Sequence, residues 1–367
     1  MLAFPDASTF QVLPWRPESN AVARMFCDIR RPDGAPFEGD PRHVLARTVE
    51  RAADMGYIFN VGPELEYYYF KDDKGTEVLD RGGYFDLTSL DYASDLRRDT
   101  VLTLEKMGIP VEYSHHESGP SQHEIDLRFN DAVSMADAVM TYKLVVKEIA
   151  MKYGVYASFM PKPMAGKPGS GMHVHQSLFD YDGNNVFFDE GDPSGYNLSK
   201  VAKSYLAGLL KYAPEFLPGD QPDRQLLQAP GGDDRRRSSC RGAHRPHEPR
   251  AHPGLPPQLR AHLPHRAAQP RSRREPYLAF AVMLAAGLAG IEEGLSLMPP
   301  ADAGAQDARS LPRNLGEAIE LFEASDLMRR TLGDHIHRYL VDAKREEWGS
   351  YQSSVSQWER DRYLAVL

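Results

Sequence analysis

Apolar Val44, Leu45 and Val49 recur at helical spacing just after Asp40-Pro41, which predicts a helix with Pro41 at its first position. Helical periodicity predicts further helices over 89–107, 134–153, 198–212, 276–290, 315–322 and 326–348. Ser134 with Asp137 three residues on resembles a capping box and is expected to open the second of these. Short strands are predicted at 9–13, 21–29, 57–61, 64–70, 110–114, 124–129, 154–160 and 172–179. Gly62-Pro63 is expected to separate 57–61 from 64–70, and Gly119-Pro120 to turn the chain between the next pair. Strands and helices are interspersed without regular alternation. That predicts an α+β fold with a largely antiparallel sheet, not a doubly wound one.

The pattern fails between Pro218 and Arg274, where Val, Ile, Phe, Tyr, Trp, Met, Lys, Asn and Thr are all absent and Arg, Pro, His, Gly, Ala, Gln and Leu dominate. A shifted reading frame in GC-rich coding sequence produces such edges. Read one nucleotide later, Gly219–Gly231 can encode VTNPTVNSYKRLV, and Pro246–His262 can encode RTSLVRIPGYRPNSARI. The alternative is a disordered Arg/Pro-rich insertion of the kind that binds nucleic acid. With no β-branched residue and many prolines, the 217–275 block is not expected to form strands, and an extended, poorly packed loop is expected there.

Composition narrows the class. Across 367 residues, 41% hydrophobic and 26% charged content lies in the soluble globular range. A net charge of −9 argues against general nucleic-acid affinity. Cys27 and Cys240 make no disulfide framework, so a reducing cytoplasm is the expected compartment. The longest apolar run, Leu278–Gly290, is far short of the roughly 20 residues that span a bilayer, and no secretory signal pattern is present.

Three short stretches carry candidate chemistry. In Gly62-Pro63-Glu64-Leu65-Glu66, the two carboxylates are two apart on a predicted strand and share one face. His115-His116-Glu117 and Gln122-His123-Glu124 flank a turn that can bring Glu117 and Glu124 together. In Gly169-Ser170-Gly171-Met172-His173-Val174-His175, both imidazoles share a face behind a Gly-rich lead-in. Each alone is more often a solvated strand face. Together, four carboxylates and an imidazole from three strands suit two hard divalent cations, Mg²⁺ or Mn²⁺, as phosphoryl transfer from ATP requires.

The stretches GPELEYYYF, VEYSHHESGPSQHEIDLRFN, FMPKPMAGKPGSGMHVHQSL and PYLAFAVMLAAGLAGIEEG resemble bacterial-type glutamine synthetases. The resemblance implies a catalytic domain around a curved antiparallel sheet over 40–367, preceded at 1–39 by the end of an N-terminal β-grasp domain. It implies a ligase that phosphorylates glutamate with ATP and lets ammonia attack the γ-glutamyl phosphate, in a homo-dodecamer with active sites between subunits. By motif, Glu66, Glu117 and Glu124 resemble ligands of one metal, and Glu64 and His173 two ligands of the other. Glu112, Phe129, His175 and Ser177 resemble nucleotide contacts, and Gly169 a backbone contact to glutamate, although Pro168 before it departs from the usual residue.

Other departures bear on activity. The chain is expected to lack most of the β-grasp domain and its ammonium-deprotonating aspartate. The 217–275 block stands where the resemblance implies active-site arginines, a flap glutamate and the third ligand of the second metal, so no catalytic residue is carried over and the chain as written is expected to be impaired or inactive. Against the family it resembles, 297–311 is expected to be a shorter loop, and it lacks the tyrosine that some relatives adenylylate. Two other readings share the motifs: a γ-glutamyl ligase for polyamines or ethanolamine, and a catalytically dead nucleotide-binding homologue. With most of the β-grasp domain missing, this chain's assembly into the family's dodecamer is doubtful on any of them.

Overall fold

The computed structural model describes residues 1–16, 19–87, 91–216, 275–297 and 311–366. The expectations for 217–274 and for most of the 297–311 loop lie outside these residues. Four short strands lead the chain: β1 (Leu2–Pro5), β2 (Gln11–Val12), β3 (Ala23–Arg24) and β4 (Cys27–Arg30), pairing β1 with β4 and β2 with β3. β1 was not foreseen; it is exposed throughout, so no alternation marks it. Helix α1 (Pro41–Asp54) follows as expected, with the Asp40 side chain accepting from Arg42 N–H and Val44, Leu45 and Ala52 turned inward. Arg42 itself pairs with Asp6, Asp28 and Asp137, tying the leading strands to the helical layer.

The organising element is β5 (Ile58–Phe70), a continuous 13-residue strand. After α2 (Ser94–Lys106) come β6 (Val111–His116), β7 (Gln122–Leu127), β8 (Asn130–Asp131), α3 (Ala132–Lys152), β9 (Tyr156–Ser158) and β10 (Met172–Phe179). These strands form an open antiparallel sheet in the order β10-β5-β7-β6, with β8 and β9 pairing the two ends of β5. The expected break at Gly62-Pro63 does not occur. Glu66 N–H points toward β10 and Tyr69 N–H toward the β7 side, so by alternation the nitrogen of Pro63 faces β7 and β8. On that side pairing with β7 ends at Glu64 and pairing with β8 begins at Val61. The N–H that Pro63 lacks therefore has no ladder position to fill.

The expected cap at Ser134 is also corrected. Asp131 caps α3 by accepting from Ser134 N–H, and Asp137 instead turns inward to Arg42 and the Tyr277 hydroxyl. The predicted 89–107 helix begins only at Ser94.

Among the described residues, five helices follow: α4 (Lys200–Phe216), α5 (Pro276–Glu292), α6 (Leu315–Glu323), α7 (Asp326–Ser353), which is broken at Gly333, and a short α8 (Gln357–Tyr363). α5 is apolar all round and packs against α1, α3, α4 and α7. Glycines let it approach α4 closely: a Cβ at Gly290 would lie 2.2 Å from Ser204 O, and one at Gly208 would lie 2.2 Å from Ala286 O. Helices α1, α2 and α3 contact the sheet, with Tyr142 of α3 meeting Tyr67 on one face. Glu64 and Glu66 alternate onto the other face.

Candidate active site

Strand alternation builds that second face. Glu64 and Glu66 project from β5; across from them on β7 stand Asp126 and Glu124, and on β10 His173 lies opposite Glu64. His115 on β6 is opposite Glu124, and Glu117 follows immediately after β6. Ligand atoms of Glu64, Glu124 and His173 lie within 4.8 Å of one another, as do those of His115, Glu117 and Glu124. Glu124 thus belongs to both groups, between two potential cation positions.

Each carboxylate is held by a distinct set of partners. Glu64 accepts from His173 Nδ1 at 2.9 Å and from His175 Nε2 at 2.5 Å. Glu66 Oε2 accepts from Gln122 Nε2 and from Gly171 N–H, both at 2.9 Å. Glu117 takes His115 Nε2 at 3.1 Å and Ser118 N–H at 2.8 Å. The His115 ring stacks on Phe85 at 4.6 Å between centroids. The Gly-rich lead-in matters sterically, because a Cβ at Gly171 would sit 3.2 Å from Glu66 Oε1 and 3.5 Å from His173 Nε2.

The electrostatics divide these groups. Burial pushes Glu64 up, but the two histidines outweigh it and hold the carboxyl well below its ordinary value. Burial likewise opposes Glu117, whose bonds to His115 and Ser118 bring it down to about 2. Glu124 goes the other way: burial, then the charges of Asp126, Glu66, Glu117 and Glu64, push it up to about 11. Burial and Glu64 raise Asp126 to about 6, and burial raises Glu66. One Asp126 oxygen is buried without a hydrogen-bond partner. So many carboxylates on one partly buried face create a condition that divalent cations relieve, and a donor set of carboxylate oxygens with imidazole fits hard ones such as Mg²⁺ or Mn²⁺.

The structure brings Glu64, Glu66, Glu117, Glu124 and His173 together and adds His175 directly to Glu64. Ser177 continues the same face of β10, opposite Asn60. Gly169 lies at the rim, its carbonyl accepting from Gln122 Nε2 at 3.0 Å. Glu112 is exposed at the register shift of β6, and Phe129 lies between β7 and β8 beside Gly62, the register partner of His175. Asp126, Gln122 and His115 were not singled out from sequence as site residues. Asp126 had an available signal, since it lies two residues beyond Glu124 on the same strand face.

A family model described as the glutamine synthetase catalytic domain matches residues 38–222 and 256–363, and the interruption falls inside the Arg/Pro-rich block. The glutamine synthetase of Methanosarcina mazei is 44% identical over 380 residues, covering 99% of this chain and 83% of that protein. That of Mycolicibacterium smegmatis is 43% identical over 383 residues, covering 100% and 85%. A solved structure described as apo GmaS without ligand matches with a TM-score of 0.82 at 27% identity, over 99% of this chain and 85% of that one.

Proposed function

The chain belongs to the glutamine synthetase family of ATP-dependent ligases, and from that premise we propose that its acidic sheet face is the metal and nucleotide site of glutamine formation. The observation carrying this reading is the convergence of Glu64, Glu66, Glu117, Glu124 and His173 from separate strands onto one partly buried face. Bound there, two divalent cations would neutralise and orient the phosphate oxygens of ATP. The protein's own part is to keep the ligands in place: Gln122 and Gly171 fix Glu66, His115 and Ser118 fix Glu117, and His175 bonds Glu64. Gln122 also fixes the Gly169 carbonyl at the rim where glutamate is proposed to sit. Glu112, Phe129, His175 and Ser177 are the proposed nucleotide contacts. In the reaction, a γ-carboxylate oxygen of glutamate displaces ADP from the γ-phosphorus, and ammonia then displaces phosphate from the acyl carbon.

We further read the chain as written as a poor catalyst. In related phosphoryl transfers an arginine at the transferring group is worth about 10³–10⁵ in rate, and the 217–275 block stands where the resemblance implies several. Cytoplasmic localisation completes the reading. The test exchanges 217–275 for the corresponding Methanosarcina segment and measures ATP-dependent glutamine formation together with Mn²⁺–ATP binding. The exchange is expected to raise turnover at least about 10³-fold, with both chains binding Mn²⁺–ATP. Equal turnover in the two chains would defeat the impairment claim, and absence of Mn²⁺–ATP binding in both would defeat the site assignment.

A further inference from the structure

Behind the acidic face, Asp80, His116 and His123 also bring ligand-type atoms within 4.8 Å of one another. Their hydrogen bonds argue against an ion there. His123 Nδ1 lies 2.8 Å from Arg97 Nη1, and a guanidinium only donates, so Nδ1 accepts and the ring proton sits on Nε2. His116 Nδ1 lies 2.7 Å from the Glu117 carbonyl, and its Nε2 lies 3.1 Å from Asp80 Oδ1. Both neighbours are acceptors, so both His116 nitrogens donate. Neither ring offers a lone pair to a cation.

What this cluster does hold is a turn. Asp80 Oδ1 accepts from Ser121 N–H at 2.8 Å as well as from His116, and the Ser121 hydroxyl accepts from Leu79 N–H at 2.7 Å and Asp80 N–H at 3.0 Å. Ser121 is fully buried with φ +58°, a left-handed conformation that residues other than glycine seldom adopt. Tyr69 N–H donates to its carbonyl at 2.9 Å, joining the turn to β5. Glu117 N–H closes the turn on Gln122 O at 2.7 Å. From this one turn, Glu117 reaches into the acidic face and Gln122 holds Glu66.

We infer that Asp80 is a positioning residue: by tying His116 at one end of the 117–122 turn and Ser121 at the other, it sets where Glu117 and Gln122 stand, and through them the affinity of the acidic face for a divalent cation. The inference rests on the metal reading of that face given above. It is tested on the full chain by Mn²⁺ binding, followed by electron paramagnetic resonance, and by hydrogen exchange of the chelated protein. Asp80→Ala is expected to weaken Mn²⁺ binding about 10–100-fold, as loss of outer partners of metal ligands does. Exchange should quicken at the Glu117, Ser121 and Gln122 amides and stay unchanged across Met172–Phe179. Asp80→Asn keeps an acceptor oxygen and is expected to bind closer to the parent than to the alanine chain. Ser121→Gly keeps the backbone conformation, loses the hydroxyl, and is expected to bind several-fold more weakly. Parent-like Mn²⁺ binding in Asp80→Ala and Ser121→Gly overturns the inference, as does equal quickening of exchange in both regions; if Asp80→Ala does not fold, parent-like binding in Ser121→Gly overturns it alone. A parent chain that takes up no Mn²⁺ brings down the metal reading itself, and this inference with it.

Discussion

On the front of β5 and β7, Glu64, Glu66, Glu124 and Asp126 crowd together, and their mutual repulsion and burial drive the Glu124 carboxyl up to about 11. On the back of the same sheet, Arg97 lies 2.7 Å from Asp91 and 2.8 Å from His123, and Asp80 faces His116. Both faces bury charge. The back matches its charges with partners from the protein, whereas on the front the carboxylates outnumber the imidazoles beside them, an excess that the proposed cations would offset. Buried charge in a fold is therefore not in itself a mark of function; unbalanced buried charge is the better one.

The sharpest way to break this contrast is on the back. Asp91 is fully buried, so Arg97→Ala strands its carboxylate and is expected to cost about 3–5 kcal/mol in a denaturant titration. Replacing both partners with Arg97→Met and Asp91→Leu should recover much of that loss. A loss below about 1 kcal/mol for the alanine chain would mean that the back face is not a balanced pair.

The same operation on the front should behave oppositely. With its carboxyl pushed up to about 11, Glu124 in the metal-free protein is a neutral acid, close in shape and charge to glutamine. Glu124→Gln is therefore expected to change metal-free stability by less than about 1 kcal/mol. Mn²⁺ affinity should fall by more than the roughly 100-fold that bounds outer-partner losses, because a ligand itself is removed. Unchanged Mn²⁺ affinity would remove Glu124 from the metal set.

The two faces also differed in how far the sequence revealed them. Glu64, Glu66, His173 and His175 were legible because strand alternation is local: residues two apart must share a face. The span Met172–Phe179 was read with its observed ends for the same reason. The back-face partners were not legible. Arg97 sits in a charged helical stretch that reads as a solvated face, and only the approach of a strand 26 residues on shows that it is buried beside His123. Pro63 was misread because its missing N–H suggested a break, whereas long-range pairing turns it toward the gap between β7 and β8. Ser134 and Asp131 are both competent caps, and the choice rests on where the backbone enters α3.

Stability against pH sharpens the contrast more gently. Asp126, raised to about 6, has a folded pKa above its unfolded one, so it contributes stability at low pH that is lost as pH rises through about 6. Glu117, lowered to about 2, acts in the opposite sense, but only as pH falls below the ordinary carboxylate range. Between pH 5 and 7 the raised carboxyls of Asp126 and Glu124 both lose stability as pH rises, and they outweigh buried His123, whose lowered value acts the other way. The chelated protein is expected to lose on the order of 1–3 kcal/mol across that window, and saturating Mn²⁺ should abolish the loss. A chelated protein whose melting temperature rises from pH 5 to 7 would show that the front face is not strained by its own charge.

The smallest structural effect belongs to Glu112, and it probes how far the site extends. This residue is exposed on β6 at the point where the register with β7 shifts, next to Tyr113, which stands opposite Asp126. Surface substitutions of this kind change stability by no more than about 0.5 kcal/mol, so Glu112→Ala should melt with the parent. Because it is proposed as a nucleotide contact rather than a metal ligand, the same substitution should leave Mn²⁺ binding unchanged and weaken ATP binding several-fold in calorimetric titration. Loss of Mn²⁺ affinity would extend the acidic face to the edge strand. Unchanged ATP affinity would confine the site to the residues that β5, β7 and β10 gather, and would take Glu112 out of it.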